Sequence, residues 1–223
     1  MKTLLKNGRL YTRSGVYTGC LAIEDQIISY VGKERPAGSF DREKDMSGKL
    51  LMPGLFNCHT HTPMTLLRGV GSDLPLQTWL FDNIFPVEAR LTPEMMRVGT
   101  ELALLEMIST GTVSFTDMYF YPDAMVEAII CSGMKANISQ HVQAFAAEDT
   151  YETNQQARVM EHLYTAYHGA AGGRIRVDAC LHAEYTNFSE DVAQGVAADL
   201  GEAATLLPEA TALIRRLACA MPF

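Results

Sequence analysis

Several of the usual signposts of location and assembly are scarce in this 223-residue chain. Its five cysteines (Cys20, Cys58, Cys131, Cys180 and Cys219) are scattered and odd in number, and no CxxC pair occurs. That usage argues against a disulfide framework and reads as buried or free thiols in a reducing cytoplasm. No apolar run approaches the roughly 20 residues of a membrane span, so no membrane role is expected. The apolar part of Met1–Gly8 reads as too short for a secretory signal. Cations are outnumbered: 18 lysines and arginines stand against 26 aspartates and glutamates. The resulting net charge of −8 argues against a nucleic-acid partner. Tryptophan occurs once, at Trp79, and no histidine follows His182.

What remains is an ordinary globular composition, 48% hydrophobic and 20% charged, in a length that suits one large domain or two small ones. The stretch that organises it is Leu51-Met52-Pro53-Gly54-Leu55-Phe56-Asn57-Cys58-His59-Thr60-His61, an apolar run entering His-x-His. On a strand, residues two apart share a face, so both imidazoles point the same way while Cys58 points the other. Two neutral imidazoles on a rigid strand end supply two ligands for a zinc-type ion, which needs further ligands and an open position to catalyse. A bare His-x-His is a weak signal, equally compatible with surface or packing histidines.

Taken in order, residues 3 to 50 read as short strands. Leu4–Thr12 holds two apolar runs around an Asn7-Gly8 turn signal, and Cys20–Ile23 and Ile27–Val31 flank a hairpin loop at Glu24-Asp25-Gln26. Residues 51–57 read as the first strand of a new region, with helix from about Pro75 to Arg90. Thr92-Pro93-Glu94 is a strong helix start, with a hydroxyl cap followed by proline, and Gly111 ends that helix. Leu102, Leu105 and Ile108 make an apolar stripe along it. Strands follow at 112–117, 135–142 and 174–181, and helices at 122–132, 151–167 and from Ser189 toward Leu200. Strand and helix alternate four times, the pattern of a parallel α/β sheet. Asp117 and His182 stand at strand ends, where (β/α)₈ barrels place their chemistry.

The segment Gly48–His61, together with Thr62–Gly69, Trp79-Leu80-Phe81 and Val87-Glu88-Ala89-Arg90-Leu91, resembles the amidohydrolase superfamily. Within it, the resemblance is to the branch holding S-adenosylhomocysteine and 5-methylthioadenosine deaminases and the triazine chlorohydrolases, and it runs from about Lys6 to about Glu190. It implies a (β/α)₈ TIM barrel, here incomplete at about four βα units, beside a small β-sandwich portion. The expected division is residues 1–50 for the sandwich part, 51–200 for the first half of the barrel and 201–223 for an atypical helical tail.

The same resemblance implies a divalent metal held by His59 and His61, zinc foremost, with iron or manganese as the other choices. It also implies a small-molecule substrate touched by Glu88, His182 and Trp79. The two carboxylate oxygens of Glu88 suit a vicinal diol. The competing readings are a solvent-facing helix charge for Glu88, a packed strand-end imidazole for His182 and core packing for Trp79. Asp117 reads as an orienting or turn residue. His141 shares a strand with Gln140, so alternation lets only one of them face inward, and His141 is not expected to be a ligand. Gln140 departs from the arginine often found in nucleoside deaminases, which makes a nucleoside less secure. No catalytic residue is assigned, because the family's later histidines, its proton-shuttling glutamate and its metal-binding aspartate have no counterpart after His182. The carboxylates of the tail are Glu202 and Glu209, with Pro208 between them.

The expected chemistry is hydrolysis of a carbon–nitrogen bond outside peptides, foremost deamination of an adenosine-like nucleoside. Alternatives are a chlorohydrolase, a guanine-type or cyclic-amide hydrolase, and an inactive fragment or binding module. A truncated or frameshifted product, changed near Ala198 to Gly201, is a further expectation. Open barrel edges lead us to expect homo-oligomers or aggregation.

Overall fold

The computed structural model describes residues 1–183 and 186–199. The helical tail expected over 201–223, with Glu202, Pro208, Glu209 and Cys219, lies outside the described residues. The chain divides into two compact units, Met1–Gly54 and Leu55–Phe223. No helix among the described residues is long and apolar enough to cross a membrane.

The first unit is one five-stranded sheet built from β1 (Lys2–Thr12), β2 (Gly15–Glu24), β3 (Ile27–Gly32), β4 (Arg42–Asp45) and β5 (Leu50–Leu51). Its order is β3-β2-β1-β4, with β5 also paired to β1. The β1–β2 and β2–β3 pairs are antiparallel, and β4 and β5 run parallel to β1. The hairpin at Asp25 forms as expected, but Asn7-Gly8 is not a turn. β1 runs straight through it, and the register with β2 slips between Leu5 and Gly8 while Asn7 takes φ 62°. The asparagine that signals a tight turn serves equally well at a β-bulge, where the same left-handed backbone is needed. Leu4, Cys20 and Ala22 form a small core with Tyr30 and Phe40 against it.

The second unit opens with β6 (Leu55–Thr60), a 3₁₀ turn at Thr62–Leu67 and a π-helical stretch at Thr78–Ile84 that runs into α1 (Phe85–Glu88). The expected first strand at 51–57 thus begins four residues later, and His61 stands just past its end. Next come α2 (Pro93–Thr110), β7 (Thr112–Met118), α3 (Pro122–Ser132), β8 (Lys135–Ser139), β9 (His141–Val142) and α4 (Gln155–Tyr167). A single turn, α5 (Ala170–Gly173), precedes β10 (Ile175–Val177), β11 (Cys180–Leu181) and α6 (Glu190–Asp199). The Thr92 hydroxyl caps α2 by accepting from the Met95 N–H, and Gly111 ends it at φ 89°, a backbone region open to glycine.

β10, β8, β7 and β6 form a parallel sheet in that order, and β11 pairs with β9 in a second parallel ladder. The expected strands at 135–142 and 174–181 are therefore each broken in two, at Gln140 and at 178–179. Parallel strands joined through helices on one chain give the α/β barrel architecture in part. The core packs Phe115, Ile138, Ile175 and Val177 of the sheet against Leu104 of α2 and Met125, Val126 and Ile129 of α3. The stripe of Leu102, Leu105 and Ile108 does not join it: Leu105 is 65% exposed and Ile108 52%. α2 instead buries Met96, Gly99, Thr100, Ala103 and Leu104, because small residues let its backbone approach the 62–67 turn.

Candidate functional site

His61 follows β6 directly and leans over the end of β7. Its Nδ1 stands 2.8 Å from the Met118 carbonyl, which only accepts, so Nδ1 carries the proton and Nε2 keeps a lone pair. Metal-binding histidines are oriented in this way by a partner on the far nitrogen. The exposed His59 ring lies edge-on to it, with centroids 5.0 Å apart. The His-x-His pair is thus together on one side of the strand end, as alternation requires.

Asp117 secures this corner from behind. It is 1% exposed and pairs in register with Thr60. Its Oδ2 accepts from the Thr62 N–H at 3.1 Å and from the Thr62 hydroxyl, while Oδ1 is buried without a hydrogen-bond partner. Burial raises its pKa to about 6, with the Thr62 bonds pulling the other way. The residue brackets His61 through Thr60 and Thr62 and does not line the cavity in front.

That cavity gathers four of the five sequence candidates, without the exposed His59. His61, Trp79, Glu88 and His182 all line it, with Tyr119 and His141. The Trp79 indole N–H donates to the Val70 carbonyl at 3.1 Å, which fixes the ring as a wall. Glu88, at the last position of α1, accepts from the Tyr119 hydroxyl through Oε1. Burial and that carboxylate push the Tyr119 phenol well above its ordinary range, so it stays a donor. His182 Nδ1 lies 2.9 Å from the Thr186 hydroxyl, whose proton is directed to the Ala183 carbonyl at 3.1 Å. Burial, then His61, lowers the His182 pKa.

Two further members line the cavity, neither named among the candidate ligands or substrate contacts. His141 is 3% exposed, its ring 4.6 Å from Phe120 and 5.3 Å from His182. Burial, with His182 and His61 nearby, lowers its pKa to about 3, so it is a neutral imidazole. Strict alternation with Gln140 failed because β8 stops at Ser139 and β9 starts at His141, so both residues are buried. Tyr119 carries no motif signal of its own; its position after a strand that ends in Asp117 and Met118 was the available clue.

The pair His59 and His61 fits part of a zinc-type donor set. Both offer imidazole nitrogen, and the tautomer of His61 is set for coordination. Among the described residues, no group of three or more His, Cys, Asp or Glu is arranged to hold a metal ion.

Residues 50–205 match the amidohydrolase family. The chain belongs to that family. It is 41% identical over 191 residues to a 5-methylthioadenosine/S-adenosylhomocysteine deaminase of Syntrophomonas wolfei, covering 83% of this chain and 43% of the relative. It is 39% identical over 195 residues to a 5'-deoxyadenosine deaminase of Methanothermobacter thermautotrophicus, covering 87% and 45%. This amidohydrolase chain therefore spans about half the length of the curated relatives it matches. Among solved structures, an adenosine deaminase from Xanthomonas campestris with bound zinc is 28% identical with a TM-score of 0.73, over 92% of this chain and 47% of that one. A zinc complex of atrazine chlorohydrolase from Arthrobacter aurescens, 18% identical with a TM-score of 0.76 over 88% and 50%, shares the fold.

Proposed function

We propose that this amidohydrolase chain carries a pair of metal ligands and the substrate pocket of a hydrolase that deaminates an adenosine-like nucleoside. The observation that carries the reading is the convergence of His61, Trp79, Glu88 and His182 on one cavity. His59 and His61 would hold a divalent ion, zinc foremost, which when bound would supply the Lewis acidity that makes water nucleophilic near neutral pH. Water adds at the ring carbon bearing the amino group, and that group leaves as ammonia.

The side chains of this chain position the nucleoside. Glu88 offers its carboxylate to the ribose hydroxyls, with Tyr119 holding one oxygen in place. Trp79 supplies a flat apolar wall, and His182, tied to Thr186, closes the cavity near the base. Support for a nucleoside also comes from the relatives, which are named for 5-methylthioadenosine, S-adenosylhomocysteine and 5'-deoxyadenosine.

The test is ammonia release and equilibrium binding on the zinc-supplemented chain, with 5'-methylthioadenosine and 5'-deoxyadenosine. Glu88→Gln is expected to weaken nucleoside binding about 10-fold while leaving free adenine unchanged, the loss of one charge-assisted hydrogen bond. His61→Ala is expected to abolish ammonia release and lower zinc content. Equal affinity of Glu88→Gln for the nucleosides would rule out the assigned role of Glu88. A second reading, a binding module without turnover, is favoured by the absence of a three-ligand cluster among the described residues. Nucleoside binding with no ammonia release and no tightly held zinc would establish it.

A further inference from the structure

A second cavity in the same unit adjoins the first: Phe85, Glu88, Phe120 and Gln143 line both. Glu88 stands on the shared wall, where the ribose is assigned above. A nucleoside with its base toward His61 and its ribose diol on Glu88 directs its 5' carbon away from the base. The second cavity meets the first at that shared wall.

The chemistry of this space is lopsided. Four glutamines, Gln140, Gln143, Gln155 and Gln156, line it with the carboxylates Glu88 and Asp123. Among the described residues that line it there is no lysine, arginine or histidine. Gln140 is 3% exposed and donates to the His141 carbonyl at 2.9 Å. Gln156 accepts from the Gln143 N–H at 2.7 Å and donates to the Gln143 side chain at 3.2 Å. These bonds fix the amides of Gln140, Gln143 and Gln156. Beside the cavity, His162 Nε2 lies 3.0 Å from Asp123 Oδ1, the oxygen that also accepts from the Tyr167 hydroxyl. Phe85, Phe120 and Phe145 supply aromatic faces.

We propose that this cavity receives the 5' substituent of the nucleoside and selects an uncharged or cationic group over one bearing a carboxylate. The inference rests on the adenosine-like reading of the first cavity. Primary amides satisfy neutral polar groups, and aromatic faces with two carboxylates attract an ammonium or sulfonium. Among the described lining residues, a substrate carboxylate placed there meets two carboxylates and no cationic donor, and it loses water to aromatic walls.

The experiment measures binding of three ligands to the full chain near neutral pH. They are 5'-methylthioadenosine, S-adenosylhomocysteine and the decarboxylated counterpart of the latter, 5'-(3-aminopropylthio)-5'-deoxyadenosine. The last two differ only in the carboxylate. The amine is expected to bind about 10-fold or more tightly than S-adenosylhomocysteine, the scale of one unpaired charge. Gln143→Arg is expected to narrow that ratio by supplying the missing cation. S-adenosylhomocysteine binding as tightly as the amine, with 5'-methylthioadenosine also bound, overturns this inference alone. A Gln143→Arg protein that binds 5'-methylthioadenosine with the ratio unchanged overturns the placement of the substituent. Failure of all three ligands to bind overturns the nucleoside reading and this one with it.

Discussion

β8 and β6 belong to the same parallel sheet, yet they meet different surroundings. β8 lies between β7 and β10, with Ile138 fully buried and Ala136 3% exposed. Among the described residues β6 is the end strand: Leu55 is 51% exposed and Phe56 68%. The inner strand carries the core, and the edge strand carries His59 and leads directly into His61. Stability and site chemistry are thus divided between neighbours, and β6 keeps its place through β7 and the segment after His61 rather than through burial on both faces.

The sharpest way to break this comparison is a matched pair of truncations. Ile138→Ala is expected to cost about 2–5 kcal/mol in urea unfolding, because it leaves a cavity in a packed core. Phe56→Ala is expected to change stability by about 0.5 kcal/mol or less, the usual range for surface positions. Comparable losses at the two sites would erase the distinction.

Asp117 sharpens it from the pH side, since it is the buried carboxyl that ties β7 to the histidine corner. Its folded pKa of about 6 lies above the ordinary 3.8. The carboxyl therefore favours the folded state fully below pH 3.8, and that contribution is lost as pH rises through about 6. The metal-free chain is expected to lose up to about 3 kcal/mol across that window, from the size of the shift. Asp117→Asn should flatten the curve. A wild-type stability that stays level from pH 4 to 7 would contradict the buried, charged carboxylate.

The smallest effect on stability concerns the outer faces. Phe56 on β6 and Leu105 on α2 are exposed apolar side chains. Phe56→Lys with Leu105→Glu is expected to leave the unfolding midpoint nearly unchanged and to reduce self-association in light scattering. Unaltered association would locate it elsewhere on the molecule.

Much of this was legible in the residues, and the misses have physical causes. The start of α2 at Thr92-Pro93-Glu94 and its end at Gly111 were readable because caps are local chemistry. The face of α2 was not. Leu102, Leu105 and Ile108 form the more apolar stripe, but close approach to the 62–67 turn selects the small residues Gly99, Thr100 and Ala103 for burial. Periodicity reports hydrophobicity, whereas packing here is decided by volume. Asn7 was ambiguous because a left-handed residue serves a turn and a bulge alike. In the site, His59, His61, Glu88 and His182 were marked by motif or strand end. The burial of both Gln140 and His141 was not readable because a break at Gln140 cannot be seen in an alternating pattern, and Tyr119 was missed because its partner Glu88 is 31 residues away.

The close fit at Gly99 reaches beyond this helix. A Cβ there would stand 2.7 Å from the Pro63 carbonyl oxygen, the Thr65 hydroxyl donates to the Gly99 carbonyl at 2.8 Å, and Thr62 and Thr100 share a hydroxyl contact at 3.3 Å. Residues 59–65 and 96–100 are therefore one inheritance unit. In a chimaera of two such chains, a crossover between residues 66 and 95 joins a foreign helix to a native histidine corner, and the mismatch is felt at His61. Crossovers placed after Gly111 keep the two halves of that joint in the same parent, so recombinants that retain the site should cluster there.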